Sequence, residues 1–391
     1  MNQPFHSNPS GKKRWQHRTV SPKQTIARLD QVKEAVGITR VADLTDLDRI
    51  GIPVYQAVRP MGRLLSVSQG KGATHDAAKA SAMMEATEMW HAEMYDAGDT
   101  YVCQCELDGV DLLDPKDYVL TGASGPLDDT KMWWITAEDM RTGGDVFVPR
   151  DVANLDFTRP SAPVWLMRNT NGLAGGNTFA EAKASALAEV IERACRAGFR
   201  QLSAPEQALR RLDADAVAQD NPQIAALIEL ILSAQLDLDL FDLTNEYDVT
   251  TVSAYLYDCD PVRPAHFPAQ GHGTHLDPVT AITRAITEAV QARMTYISGN
   301  RDDLEPKYYQ QSTLMNLTRA LERQMDLRSG ERGMDLTDQS GDSPEEDIDI
   351  MLRRVATQSQ HPIMSINMTD PAIGIPVAKV LAPGLAHSAW M

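Results

Sequence analysis

The chain has 391 residues, 43% hydrophobic and 23% charged, ordinary proportions for a soluble globular protein with one large core or two lobes. Asp and Glu outnumber Lys and Arg by 54 to 37, a net charge of −17, which excludes nucleic acid and anionic membrane as partners unless a local basic patch intervenes. No apolar run approaches a membrane span and the N-terminus lacks a signal-type apolar stretch, so a cytoplasmic protein with four reduced, incidental thiols (Cys103, Cys105, Cys195, Cys259) is expected.

Residues 1–16 lack periodicity and should form a flexible arm, leaving 17–391 as one large domain. Ser21 and Pro22 open a helix expected to run to Val36, with Ser21 as N-cap and Pro22 in the first helical position. Residues 38–48 and 52–59 suggest strands. A further strand should end at Val67-Ser68, which places Gly70-Lys71-Gly72 in a loop before a helix. Segments 101–110, 132–138 and 145–149 carry β-branched and aromatic residues and should pair as strands, with a turn-rich loop at 121–130. The small-polar loop Asn169-Thr170-Asn171-Gly172 precedes a second long helix. Residues 204–236 read as two helices, 237–258 as strands, and 271–298 as a third glycine loop and helix. An acidic Gly/Ser-rich loop at 328–346, a helix near 344–356 and a strand at 375–381 complete the pattern. This alternation indicates an α/β or α+β fold, one domain with internal pseudo-symmetry whose mixed sheets pack with helices around a central site.

The three glycine-to-helix stretches repeat one another. KASAMMEATE places Glu85 and Glu88, KASALAEVIER places Glu189 and Glu192, and TRAITEAVQAR places Glu288 and Gln291. A spacing of three puts both members of a pair on one face of a helix. The rest of each helix is almost all Ala, Met, Leu, Ile and Val, so that face is expected to point inward, where carboxylates need cations to offset them. A lone Glu-x-x-Glu is ordinarily a solvated surface; three in one register, with AKASA repeated at 78–82 and 182–186, argue for a shared centre. Paired carboxylates suit Mg²⁺ and a polyphosphate, whereas Zn²⁺ would ask for His or Cys. No Walker A sequence is present, yet a strand–glycine–helix turn can present N–H groups to phosphate, with Lys71 within reach. Arg193, Arg284 and Arg301 flank the helices and can balance nucleotide charge. His272 and His275 lack a third metal ligand, Ser68 and Ser81 lack a His/Asp partner, and Cys195 reads as core.

At this point the pattern resembles the YcaO family of ATP-dependent enzymes that activate peptide backbone amides. The motifs are Ser81-x3-Glu85-x2-Glu88, Glu189-x2-Glu192-Arg193 and Glu288-x2-Gln291, with the phrases IPVYQAVRP, SVSQGKG, RNTNGLA, GHGTHLDP and ISGNRDD, and the likeness spans about residues 18–385. The resemblance implies that Glu85, Glu88, Glu189, Glu192 and Glu288 hold Mg²⁺ and, with Gln291, the phosphates of ATP. It further implies nucleotide contacts from Lys71, Ser81, Asn171 and Arg193; no residue is marked as general base.

The chemistry so implied begins with attack of a substrate amide oxygen on the γ-phosphate. A nucleophile then adds to the activated carbon and phosphate leaves, giving an azoline from a neighbouring Cys, Ser or Thr, or a thioamide from sulfide. Ala194 stands where many family members have Asp, and the end AHSAWM lacks the alternating proline tail of azoline-forming members. With RIGIPV, this looks more like stand-alone members that work beside a TfuA-like protein in thioamide formation, on a peptide or protein substrate and as a possible homodimer. An azoline-forming cyclodehydratase, a carboxylate-bridged metal hydrolase and a non-catalytic ATP-binding scaffold are the alternatives.

Overall fold

The computed structural model describes residues 18–98, 100–107, 111–118, 129–158, 165–219, 221–258, 268–301, 332–358 and 362–386. The expected arm at 1–16, most of the loop at 121–130 and the AHSAWM end after Ala386 lie outside them.

Helix α1 (Pro22–Val32) starts as its sequence dictates: Ser21 and Gln24 form a capping box, and Pro22 sits where no N–H partner is needed. Its regular part stops short of Val36. The chain turns on through Val36 and closes where Ile38 N–H reaches Lys33 O (2.8 Å) and Gly37 takes φ +77°. Strands β1 (Arg40–Asp43), β2 (Val54–Val58) and β3 (Val67–Lys71) then form an antiparallel sheet in that order. Helix α2 (His75–Met94) packs on its β2–β3 side, with Ala78, Ala82, Met83 and Ala86 buried.

Six strands make the second sheet: β4 (Thr100–Cys103), β5 (Lys131–Asp139), β6 (Asp145–Pro149), β7 (Leu173–Gly175), β12 (Met364–Asn367) and β13 (Val377–Leu381). The order is β4-β5-β12-β13-β7, with β6 along the other edge of β5. The strand expected over 101–110 ends at Cys103, because the chain turns through a 3-10 helix at Gln104–Glu106 and 108–110 lie outside the described residues. Cys103 and Cys105 are joined there as a disulfide, which corrects the expectation of free thiols at both positions. Helix α3 (Phe179–Gln201) covers β7 and β13.

The stretch expected as two helices over 204–236 is three: α4 (Ala204–Ala208), α5 (Ala214–Gln219) and α6 (Pro222–Ser233). They are broken by the short strand β8 (Arg211–Leu212), which pairs with Phe241 and Leu240. β8 ends the third sheet, β11-β10-β9-β8, formed with β9 (Leu236–Asp242), β10 (Thr251–Asp258) and β11 (Ala269–Thr274). Helix α7 (Pro278–Ser298) packs on it through a core that includes Val252, Ala254, Leu256, Ile282 and Ile286. Helix α8 (Pro344–Ala356) packs on α3, and a single turn, α9 (Pro383–Ala386), follows β13. All named ladders are antiparallel, so the architecture is α+β, with helices laid on separate sheets.

The glycine loops are not loops. Gly70 and Lys71 lie inside β3, and Gly271 and Gly273 inside β11. Their role is close approach of strand to helix: a Cβ on Gly70 would sit 2.0 Å from Ala82 N, and one on Gly273 2.1 Å from Ala281 O. Both glycines stand four residues before the N-cap of the helix they touch (74 − 70 and 277 − 273), which makes them structural equivalents. A phosphate-cradling turn at these glycines is therefore replaced by helix-on-strand packing.

Candidate functional site

Each long helix is fixed at its start by a side-chain cap: Thr74 on α2, Thr178 on α3 and Asp277 on α7. Counted from those caps the polar pairs fall at identical positions, 11 residues on (85 − 74, 189 − 178, 288 − 277) and 14 on (88 − 74, 192 − 178, 291 − 277). Beyond its own sheet, each helix touches the strand that opens the next unit: α2 touches β7, α3 touches β11, and α7 touches β3. Three units thus close in a ring with their polar pairs turned to one centre.

The hydrogen bonds follow this ring. Glu88 of α2 accepts from Gly175 N–H of β7 (2.6 Å). Gln291 of α7 donates to Gln69 O of β3, and Lys71 of β3 forms an ion pair with Glu288 of α7. Glu288 also accepts from His272 N–H (3.3 Å), and Glu189 pairs with Arg193 one turn along α3 (3.2 Å). Glu85 and Glu192 have no hydrogen-bond or ion-pair partner among the described residues. All six residues are half-buried.

Electrostatics show how close the acids stand. Burial pushes Glu85 up to about 7, with Lys71 and Arg301 opposing and Glu288 and Glu189 reinforcing. Burial lifts Glu88 to about 8 and Glu192 to about 7, and Glu189 is raised too; in each case a neighbouring carboxylate of the set adds to the effect. The carboxylates thus stand close enough to repel one another even with Lys71, Arg193, Arg196, Arg301 and Lys379 nearby. Among the described residues no three acids converge on one point as an all-protein metal cage would. Mg²⁺ does not ask for that, since it takes one or two carboxylates and fills its octahedron with water and phosphate oxygens. The mutual repulsion, and two carboxylates without a hydrogen bond or ion pair, fit a divalent cation, and the nearby cations fit a polyphosphate.

The remaining expected residues group less tightly. Ser81 lies one turn before Glu85 on α2, and Ser185 and Arg284 occupy the same position on α3 and α7. Ser185 and Arg284 line a small cleft with Arg18, Glu181, His275 and Met351. Burial lowers the Arg284 guanidinium to about 10, and Glu192 and Glu288 pull it back up. Asn171 sits in the turn before β7, its Oδ1 buried and unpartnered. Beside it is a residue that sequence reasoning missed, Lys379 of β13. Only 1% exposed, its ammonium donates to Asn169 O (2.6 Å) and Asn171 O (3.2 Å) and faces Glu189. The signal was a lone lysine within the buried apolar strand IPVAKVL. His272 and His275 do not come together on a metal, because His275 accepts from Asp277 N–H (2.9 Å) while His272 points among arginines. Cys195 is core as expected, with burial pushing its thiol up to about 12.

An α+β domain whose three equivalent helices bring five carboxylates within electrostatic reach of one another is an architecture for holding a cation and a polyanion together. The chain belongs to the YcaO family: the family pattern, described as YcaO cyclodehydratase, ATP- and Mg²⁺-binding, matches residues 69–386. An uncharacterised protein of Methanothermobacter thermautotrophicus is 34% identical over 371 residues, 94% of each chain. A protein of Rhizobium leguminosarum bv. trifolii, described by its place in the tfuA 3′ region, is 33% identical over 94% of this chain and 88% of its own. In structure, the chain is similar to a YcaO from Methanopyrus kandleri bound with AMPPCP and Mg²⁺, with TM-score 0.70, 21% identity, and coverage of 94% of this chain and 92% of that one. It is also similar to a heterocyclase in complex with substrate and cofactor, with TM-score 0.75 and 21% identity over 94% of this chain, though it spans only 53% of that larger chain. These two likenesses establish the fold. No described helix is long and apolar enough to cross a membrane.

Proposed function

We propose that this protein uses ATP and Mg²⁺ to activate a backbone amide oxygen of a peptide or protein substrate, leading to a thioamide with a TfuA-like partner and a sulfur source. The observation that carries the reading is the centre of five mutually repelling carboxylates, two of them without any partner, in a chain of the YcaO family. Glu85, Glu88, Glu189, Glu192 and Glu288 hold the metal; Lys71, Ser81, Asn171, Arg193 and Gln291 attend the phosphates. When bound, Mg²⁺ neutralises charge that builds on the transferring phosphoryl group. The chain's own part is placement: Arg193 and Lys71 hold carboxylates in position, Gly175 N–H fixes Glu88, and the cleft lined by Ser185 and Arg284 takes the nucleoside end.

The substrate amide oxygen takes the γ-phosphoryl group and ADP leaves; hydrosulfide then adds to the activated carbon and phosphate departs with the former amide oxygen. The thioamide outcome is supported by the relative in a tfuA region, and the azoline outcome by the family's cyclodehydratase description. The test is mass spectrometry of a substrate incubated with the protein, Mg·ATP, sulfide and a TfuA-like protein. Exchange of one oxygen for sulfur supports the thioamide reading, and loss of one water the azoline reading. Substrate modified by the metal alone, without ATP, would instead support the hydrolase.

A further inference from the structure

The face of α3 that carries its acid pair does not end with it. At about 100° per residue, Glu189, Glu192, Arg193, Arg196 and Arg200 fall within an arc of about 100°, so an acidic patch passes directly into a basic stripe along one helix face. Arg193 is held by Glu189, but Arg196, half-buried, and Arg200, exposed, have no hydrogen-bond or ion-pair partner among the described residues. Arg196 still feels Glu192 and Glu288 of the acid centre, whereas Arg200 is exposed with no ion pair among the described residues, in a chain where acids outnumber bases by 54 to 37.

The stripe faces the polar side of the β9–β10–β11 sheet. Phe199, between the two arginines on α3, contacts Phe241, which contacts Tyr255 (ring centroids 5.7 and 5.6 Å apart), and Tyr255 stacks on Tyr257. Gln270 donates to the Tyr255 hydroxyl (2.6 Å) and holds that ring in place. Two acids share this sheet face: Asp239 is paired with Arg211, and Asp237 is buried. Next to Gln270 on the same strand face is His272, 4% exposed, with its Nδ1 buried and unpartnered. Its backbone N–H donates to Glu288 (3.3 Å), so this residue borders the acid centre. The result is a basic helix face beside an aromatic floor, leading away from the acid centre.

We propose that Arg196 and Arg200, beside the Tyr255 floor, form a subsite that takes a side-chain carboxylate of the peptide substrate, a proposal that rests on the amide-activation reading above. Charge complementarity singles out an acidic peptide, because planar guanidinium groups match carboxylates best. Distance separates this place from the phosphates: Arg200 lies eleven residues beyond Glu189, about 16 Å along the helix axis. An extended peptide covers that length in about five residues. A Glu or Asp about five residues from the reacting amide would therefore reach Arg200 while the amide lies at the centre.

The test uses the full chain and a fluorescent peptide of alternating Glu and Gly, with the matching Gln and Gly peptide as control, read by anisotropy. Wild type should bind the Glu peptide about tenfold or more tightly than the Gln peptide at low salt, and added salt should erase the difference. Arg200→Glu should abolish the preference and Arg200→Lys should keep most of it; Arg196→Ala gives a second, independent loss. No preference in wild type, or a preference that survives both Arg200→Glu and Arg196→Ala, overturns the proposal. Calorimetric titration of Mg·ATP into the same proteins separates this from the reading beneath it. Wild type that takes Mg·ATP but shows no peptide preference refutes the subsite alone, and wild type that takes no Mg·ATP refutes the amide-activation reading. Arg200→Glu that loses Mg·ATP affinity and keeps the peptide preference assigns the stripe to phosphate and overturns the subsite.

Discussion

Glu88 shows what holding acids together costs the free protein. Burial lifts its carboxyl to about 8 from 4.5; the Gly175 N–H pulls the other way, and Glu85 and Glu189 push further up. The folded state therefore keeps a proton that the unfolded chain gives up near 4.5. The stability of that protonated form is complete below 4.5 and is lost as pH rises towards 8. At about 1.4 kcal/mol per pH unit the shift has an upper bound of about 4–5 kcal/mol. Because five carboxylates share the repulsion, neutralising one should recover about 1–2 kcal/mol. Glu88→Gln keeps the oxygen that accepts from Gly175 and removes the charge. In the absence of ligand, its melting temperature should exceed wild type by a few degrees at about pH 8.5 and by little at about pH 5. Added Mg·ATP should stabilise wild type and fail to stabilise the variant. Scanning fluorimetry at both pH values reads all of this. A variant less stable than wild type at the higher pH, or equally stabilised at both, would refute the reasoning.

Two further outcomes test the packing around the centre. Gly70→Ala drives a methyl into the backbone of α2 at Ala82 and should cost about 3 kcal/mol or more. Gly198→Ala, on the open side of α3, should instead stabilise by about 0.5–1 kcal/mol; denaturant midpoints compare the two. Lys379→Met strands the carbonyls of Asn169 and Asn171 and should lower stability by about 2–4 kcal/mol. It should also weaken Mg·ATP binding, because the turn bearing Asn171 loses its anchor, and unchanged affinity in calorimetry would show that turn to be irrelevant to the nucleotide.

Much of this was legible in the sequence because it is local. Ser21 and Pro22 announce a helix by chemistry that acts within one turn, and the acid pairs recur at a fixed distance from three capped helix starts. Their convergence could be argued because helices that are apolar nearly all round have nowhere else to put a carboxylate. The strand glycines were misread, since a Gly before a helix has the same local signature whether it turns the chain or admits a neighbouring helix at 2.0 Å. That Gly70 corresponds to Gly273 rather than to Gly271 emerges only when the caps are aligned in space. Lys379 was invisible for a different reason: its partners lie about 210 residues away along the chain, and its ion-attracting neighbour Glu189 is on helix α3, which packs against its strand. The disulfide between Cys103 and Cys105 was not legible because the thiols were expected to be reduced, and the pair meets only through the 3-10 turn at Gln104–Glu106.

The central claim is that three helices assemble one Mg-dependent nucleotide site, and Glu192 is the residue on which to test it, being unpartnered and lifted to about 7 mainly by burial. ATP titrated calorimetrically into the protein with and without Mg²⁺, and again into Glu192→Ala, is the direct measurement. Binding that needs Mg²⁺ and disappears in a folded Glu192→Ala is the predicted result. Wild-type binding indifferent to Mg²⁺, or undiminished in the variant, would contradict it.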